Sequence, residues 1–218
     1  MHPGALLCQV YDGVTAWARD LDEAQLGAPT RTEWTVAELL FHLLLDAQRA
    51  LVTFATPADE PPDTDAVSYW LDWNPASGDG RAHLRFVRAA VAAYSSPRVV
   101  VEQWNETAAA AGRAALLAPL DDVVATQGHR LALPDFLSTL VVEATVHHLD
   151  LTGHVPGPPV TPAALAEVRR VLDGLLRGRA PSGWSDRDYA LKGTGRLPLT
   201  DDDRAALGAL AERLPLLG

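Results

Sequence analysis

Apolar residues recur at intervals of three and four along most of this chain, a spacing that predicts helices rather than strands. From Ala5 to about Leu26 the positions Leu6, Leu7, Val10, Tyr11, Val14 and Trp17 share one stripe, predicting a first amphipathic helix. Thr35 followed by Glu38 has capping-box spacing, with Trp34 where a hydrophobic staple packs, so "VAELLFHLLLDAQRALVTF" is expected to be helical to about Phe54. A polar loop begins at Pro57, Pro61 and Pro62 and continues through "WLDWNPASGDG", with turn chemistry at Asn74-Pro75 and from Ser77 to Gly80. Two more helical stretches, Arg81 to Tyr94 and Pro97 to Ala115, are parted at Ser95 and Ser96, because Pro97 disfavours a helical residue before it. In "VVATQGHRLALPDF" the period is ambiguous, and Pro134 suits the first turn of a helix reached by an extended approach. That fourth bundle helix is predicted to run to about Thr152, with Gly153 as its C-terminal cap.

The proline- and glycine-rich "HVPGPPVTP" reads as a linker, which divides the chain into a bundle over residues 1–155 and a small C-terminal domain over 156–218. In the latter, Thr161-Pro162 opens a helix to about Leu176, "DYALKGTGRLPL" reads as strand and turn, and Thr200 with Asp201 to Asp203 opens an acid-capped helix. The fold class expected is mainly α: an antiparallel four-helix bundle followed by a small α/β C-terminal domain.

Composition narrows the chemistry. A chain of 218 residues can bury roughly 70% of its extended surface, enough for a substantial core. With 28 acidic against 18 basic residues and no basic run, it is a poor nucleic-acid partner. The single cysteine, Cys8, excludes an intrachain disulfide framework and reads as a small core residue of the first helix. The N-terminus lacks signal-peptide character and no apolar run approaches the ~20 residues of a membrane span, so a cytoplasmic protein is expected.

The fourth helix carries an anomaly. Stepping from Phe136 through Leu140 along "LVVEATVHHLDLTGH" brings Glu143, His147, Asp150 and His154 onto the line a helix turns toward its partners. Glu143 and His147, four apart, share a face and can converge on one ion or close as a local ion pair. His42 raises the same question, set in "LLFHLLL" with three apolar residues on each side. A buried imidazole needs a partner, and Asp46 one turn away can serve. Facing bundle helices, however, also build metal sites from inward Glu and His, and two imidazoles with one carboxylate match a catalytic zinc site whose fourth position stays open. On the residues alone both readings stand. His148 points about 100° from His147 and is read as facing protein or solvent. Asp150 is either a solvated acid or the acceptor that fixes the His147 tautomer. His2, His83 and His129 show no convergent partners.

Three segments carry a resemblance: "EWTVAELLFHLLLDAQRA", "LPDFLSTLVVEATVHHLDLTGH" and "LKGTGRLPLTDDDRAALGALAERLPLLG". Together they resemble the DinB/YfiT-like superfamily and, within it, the mycothiol-dependent maleylpyruvate isomerase-like proteins. The resemblance implies a DinB-like four-helix bundle with a divalent metal, usually zinc, on a histidine of the second helix and a Glu/His pair of the fourth, which fall on His42, Glu143 and His147. It also implies a C-terminal arginine near the metal that holds an anionic substrate, for which Arg196 of "GTGR" is the candidate; a guanidinium behind such a turn presents a two-pronged donor to a carboxylate. The residue-level alternative is a surface arginine paired with Asp201 or Asp202. The function implied is thiol-dependent, with mycothiol as cosubstrate and a small electrophilic or acidic substrate, either isomerised or conjugated to sulfur. A metal-dependent hydrolase and a noncatalytic metal- or partner-binding bundle are the alternatives.

Overall fold

The structure, a computed structural model, describes residues 2–72 and 78–217. The turn expected at Asn74-Pro75 lies outside the described residues. Helix α1 (Pro3–Arg19) begins at a His2 cap and ends before the short α2 (Glu23–Leu26), so the single helix expected to Leu26 is two. The break has a local cause: Asp22 and Gln25 form their own capping box, which starts a new helix. Helix α3 (Val36–Phe54) has the predicted box, with the Glu38 amide donating to Thr35 Oγ1 and the Thr35 amide donating to the Glu38 carboxylate. Helices α4 (Gly78–Ala92) and α5 (Pro97–Leu117) are parted at the Ser-Ser-Pro step, where Ser96 caps α5. The ambiguous stretch is a hairpin of β1 (Val123–Thr126) and β2 (His129–Ala132), antiparallel with Val124 opposite Leu131. Gln127 and Gly128 both take positive φ, 49° and 83°, as a two-residue turn between right-twisting strands requires.

Helix α6 (Leu133–Leu151) carries the pattern read as the fourth bundle helix. Its cap is Thr152 and not the expected Gly153, which is small for another reason: a Cβ there would lie 2.6 Å from the Arg31 side chain. Helices α1, α5, α3 and α6 pack as a ring, with α1 touching α5 and α6, and α3 touching the same two from the other side. On α5, Gly112 lets the α1 backbone approach, since a Cβ there would come within 3.0 Å of Cys8 Sγ.

Beyond the proline-rich stretch come α7 (Pro162–Leu176), α8 (Asp186–Gly193) and α9 (Asp201–Leu207). The segment read as strand and turn is therefore α8 and its exit, nucleated by a Ser185–Asp188 capping box. Among the described residues the sheet component of this mainly helical fold is the hairpin before α6, not a strand after residue 156. Gly195, at φ 74°, ends α8 with the Arg196 amide donating to the Leu191 carbonyl and the Gly195 amide to Lys192, a Schellman arrangement that fixes where Arg196 starts.

Two hydrophobic clusters share α6. Leu137, Leu140, Val141 and Ala144 pack into the ring of four helices, whereas Val142, Val146 and Leu149 pack on α7 and α8 residues such as Val168, Leu172 and Tyr189. After its first turn, α6 is buried at every position except Glu143. Among the described residues no helix is long and apolar enough to cross a membrane.

Candidate metal centre

That one opening in α6 faces His42 of α3. His42 Nε2 lies 3.0 Å and His147 Nε2 3.1 Å from the same Glu143 oxygen, Oε1. The three side chains offer donor atoms within 4.8 Å of one another, a grouping close enough to hold a metal ion. The structure thus brings together the three residues singled out from the sequence. The helical period explains the convergence: Glu143 and His147 are one turn apart on α6, and His42 sits on the α3 face that packs against it.

The outer nitrogens of both rings are also engaged. His147 Nδ1 lies 3.0 Å from Asp150 Oδ2, one turn further along α6, so the reading of Asp150 as a tautomer-fixing acceptor matches the geometry. Asp150 is in turn clasped by Arg196, with Nε 3.2 Å from both carboxylate oxygens and an Nη2 contact at 3.1 Å. Its remaining arm donates to the Thr194 carbonyl. The two-pronged geometry expected of Arg196 is present, but the carboxylate it grips is the protein's own, and neither Asp201 nor Asp202 is its partner. His42 Nδ1 lies 3.0 Å from His83 Nε2 on α4, so His83, read from sequence as lacking partners, joins the cluster. A signal for it existed: His83, Phe86, Val87 and Ala90 lie on one stripe of α4, and Val87 is fully buried.

Trp34 closes one side. Its ring centroid is 4.9 Å from that of His42, tilted by 31°, and 5.9 Å and 6.4 Å from those of His83 and His147. The residue read as a helix staple therefore also packs against the three histidine rings of the cluster.

Burial works against a charged His147, but Glu143 and Asp150 outweigh it and push its pKa up to about 9, since both ring nitrogens face carboxylate oxygens. Burial likewise raises Glu143, yet His147 and His42 hold it well below the usual carboxylate range. Asp150 is lowered too, its burial overcome by His147 and Arg196. Asp46 goes the other way: burial, with Glu143 adding to it against the pull of His42, pushes it up to about 6. Its Oδ2 is buried without a hydrogen-bond partner, 3.6 Å from His42 Nε2.

The donor set fits a divalent cation on three grounds. Two imidazoles and a carboxylate present one donor atom each toward a common point, both outer nitrogens are oriented by neighbours, and the orphaned Asp46 oxygen gains a counter-charge beside His42. His148 is not part of the site; its Nε2 lies 3.1 Å from the Pro158 carbonyl, its ring packs under Gly13, and burial lowers its pKa. Of the other histidines, His2 caps α1 and His129 sits beside Asp63.

A sequence profile described as the mycothiol maleylpyruvate isomerase N-terminal domain matches residues 8–152. A crystal structure titled as a histidine-to-alanine mutant of the mycothiol-dependent maleylpyruvate isomerase is similar in fold, with a TM-score of 0.53 and 16% identity, over 83% of this chain and 70% of that one. No curated protein matches the chain.

Proposed function

The chain belongs to the mycothiol maleylpyruvate isomerase N-terminal domain family, and from that premise we propose that it is a divalent-metal-dependent, thiol-dependent enzyme. The metal we assign is zinc, the thiol mycothiol, and the substrate a small unsaturated acid of the maleylpyruvate type, isomerised about its double bond or left as the sulfur conjugate. The observation that carries this reading is the convergence of His42 Nε2, His147 Nε2 and Glu143 Oε1 at the one half-buried position of α6 after its first turn.

When bound, the metal supplies the positive charge that keeps a coordinated thiol deprotonated at neutral pH. His42, Glu143 and His147 are the residues that would hold it. Asp150 fixes the His147 ring with Nε2 inward, and Arg196 positions Asp150 by gripping both of its oxygens. Arg196 thereby acts through the ligand set, from a backbone position set by the Schellman turn at Gly195. Asp46 Oδ2, buried 3.6 Å from His42 Nε2 and without a hydrogen-bond partner, is the carboxylate oxygen that would be available to accept the thiol proton. Trp34 covers the histidine rings on one side.

The test is a turnover assay on zinc-reconstituted protein with a cis-unsaturated keto acid, with and without mycothiol, alongside an ester panel. Turnover that requires the thiol is the expected result. Thiol-independent ester cleavage would make the site a hydrolase, and tightly held zinc with no turnover of either class would make the protein a metal-binding bundle.

A further inference from the structure

We propose that His83 is a positioning residue for the metal centre: it accepts the Nδ1 proton of His42 and so holds that ring with Nε2 turned to the ion. The inference rests on the metal reading above and assigns a role to a helix that supplies none of the three ligands.

The chemistry of imidazole requires such a partner. A neutral histidine that gives its Nε2 lone pair to a cation carries its proton on Nδ1, and metal-bound histidines almost always donate that proton to a carboxylate, a carbonyl or water. For His147 the acceptor is Asp150. For His42 the atom in place is His83 Nε2, at 3.0 Å, while Nε2 of the same His42 ring faces Glu143 Oε1 at 3.0 Å. The two contacts lie on opposite sides of one ring, as the arrangement ligand, support and support's own helix demands.

The surroundings fix both partners. The His42 and His83 rings are 5.2 Å apart and inclined at 73°, so a nitrogen of each meets in the gap instead of the rings stacking. Trp34 packs over the face of His42 and edge-on to His83, restricting rotation of both. Helix α4 is anchored on α3 by buried Val87, and it is tied to the Trp34 loop by Arg88, which donates to the Glu33 carbonyl. Sequence position reinforces the point, because His83 lies one turn from the fully buried Val87 on the same stripe of α4.

An asymmetry follows. The His147 ring is backed by a carboxylate that raises its basicity, whereas His42 is backed by a neutral imidazole that orients without adding charge. His42 is then the ligand whose hold on the ion depends most on geometry.

The experiment measures zinc affinity by competition with a chromophoric chelator, together with the visible spectrum of the cobalt-substituted protein. The proteins compared are wild type, His83→Ala, His83→Gln and, as a packing control on the same helix, Phe86→Ala, with helical content checked by circular dichroism. His83→Ala should weaken zinc binding by about 10–100-fold, the usual loss when an outer support is removed, and shift the cobalt bands. His83→Gln, whose amide oxygen can accept the same proton, should recover most of that loss, and Phe86→Ala should bind as wild type does. Zinc affinity of His83→Ala equal to wild type would overturn the assignment while leaving the metal site standing. Equal losses in His83→Ala and His83→Gln, or an equal loss in Phe86→Ala, would overturn it in favour of packing. A wild-type chain that binds no zinc would sink the metal reading and this inference together.

Discussion

Replacing Asp150 by alanine tests how the centre is held. Its side chain is fully buried and Arg196 is only 12% accessible, so solvent can do little to compensate for a lost partner. Truncation leaves the Arg196 guanidinium without its carboxylate and His147 Nδ1 without its acceptor. Breaking a buried pair from one side costs about 3–5 kcal/mol, mostly the penalty of the stranded charge. In a chain of this length each kcal/mol moves Tm by roughly 2–4 °C, which puts the expected fall at ~6–20 °C. Arg196→Met removes the stranded charge, so the double variant should be less destabilised than the sum of the singles by about 1–3 kcal/mol. Urea denaturation of the four proteins at pH 7 gives the coupling directly. The pH dependence has a determined sign. Asp150 is depressed in the folded chain, so its contribution is present above the unfolded carboxylate value of about 3.9 and is lost as pH falls through the lower folded value. The gap between wild type and Asp150→Ala should therefore stay constant down to about pH 5 and close below pH 4. A Tm within about 2 °C of wild type, or single-variant effects that add within ~0.5 kcal/mol, would refute the reasoning.

Three further outcomes are expected. Elemental analysis should find about one zinc per chain, as one three-ligand site requires, with His42→Ala and His147→Ala losing it while keeping their helical signal; full occupancy in both would show the site misassigned. Chelation should leave the far-ultraviolet spectrum of the wild type intact, because the packed helices rest on leucine and alanine cores, and a collapse of that signal would mean a structural ion. In the chelated protein His147 is raised to about 9, so its stabilising contribution is complete below its unfolded value near 6.5 and fades as pH climbs through 9. Zinc binding at pH 7 should accordingly release about one proton per ion, read from calorimetry in buffers of different ionisation enthalpy, and proton-neutral binding would contradict the charge assigned to His147.

The helices of the bundle were legible because their signals are local. The Thr35–Glu38 box, the Pro97 break and the apolar spacing of α6 act within a few residues, and each element formed where those signals stand. His42, Glu143 and His147 were legible for the same reason, each a polar group interrupting an apolar face. What escaped was decided by neighbours distant in sequence or by rival local cues. In "DYALKGTGRLPL" the aromatic and branched residues imitate a short strand, while the Ser185–Asp188 cap just upstream is what sets the helix. Gly153 resembled a cap but is small because Arg31 lies over it. Arg196 was read as reaching for a ligand because its partner, Asp150, is 46 positions away, and the role of His83 depended on how α4 docks on α3.

Because α6 is walled in on two sides, the Glu143–His147 pair it carries answers to parts of the protein that never touch it. Leu172 and Leu175 of α7 and Leu191 of α8 set the seating of Val142, Val146 and Leu149, and a shift there is carried along a rigid rod to Glu143 and His147. Remote substitutions in the C-terminal segment thus have a route to shift Glu143 and His147 without changing either residue.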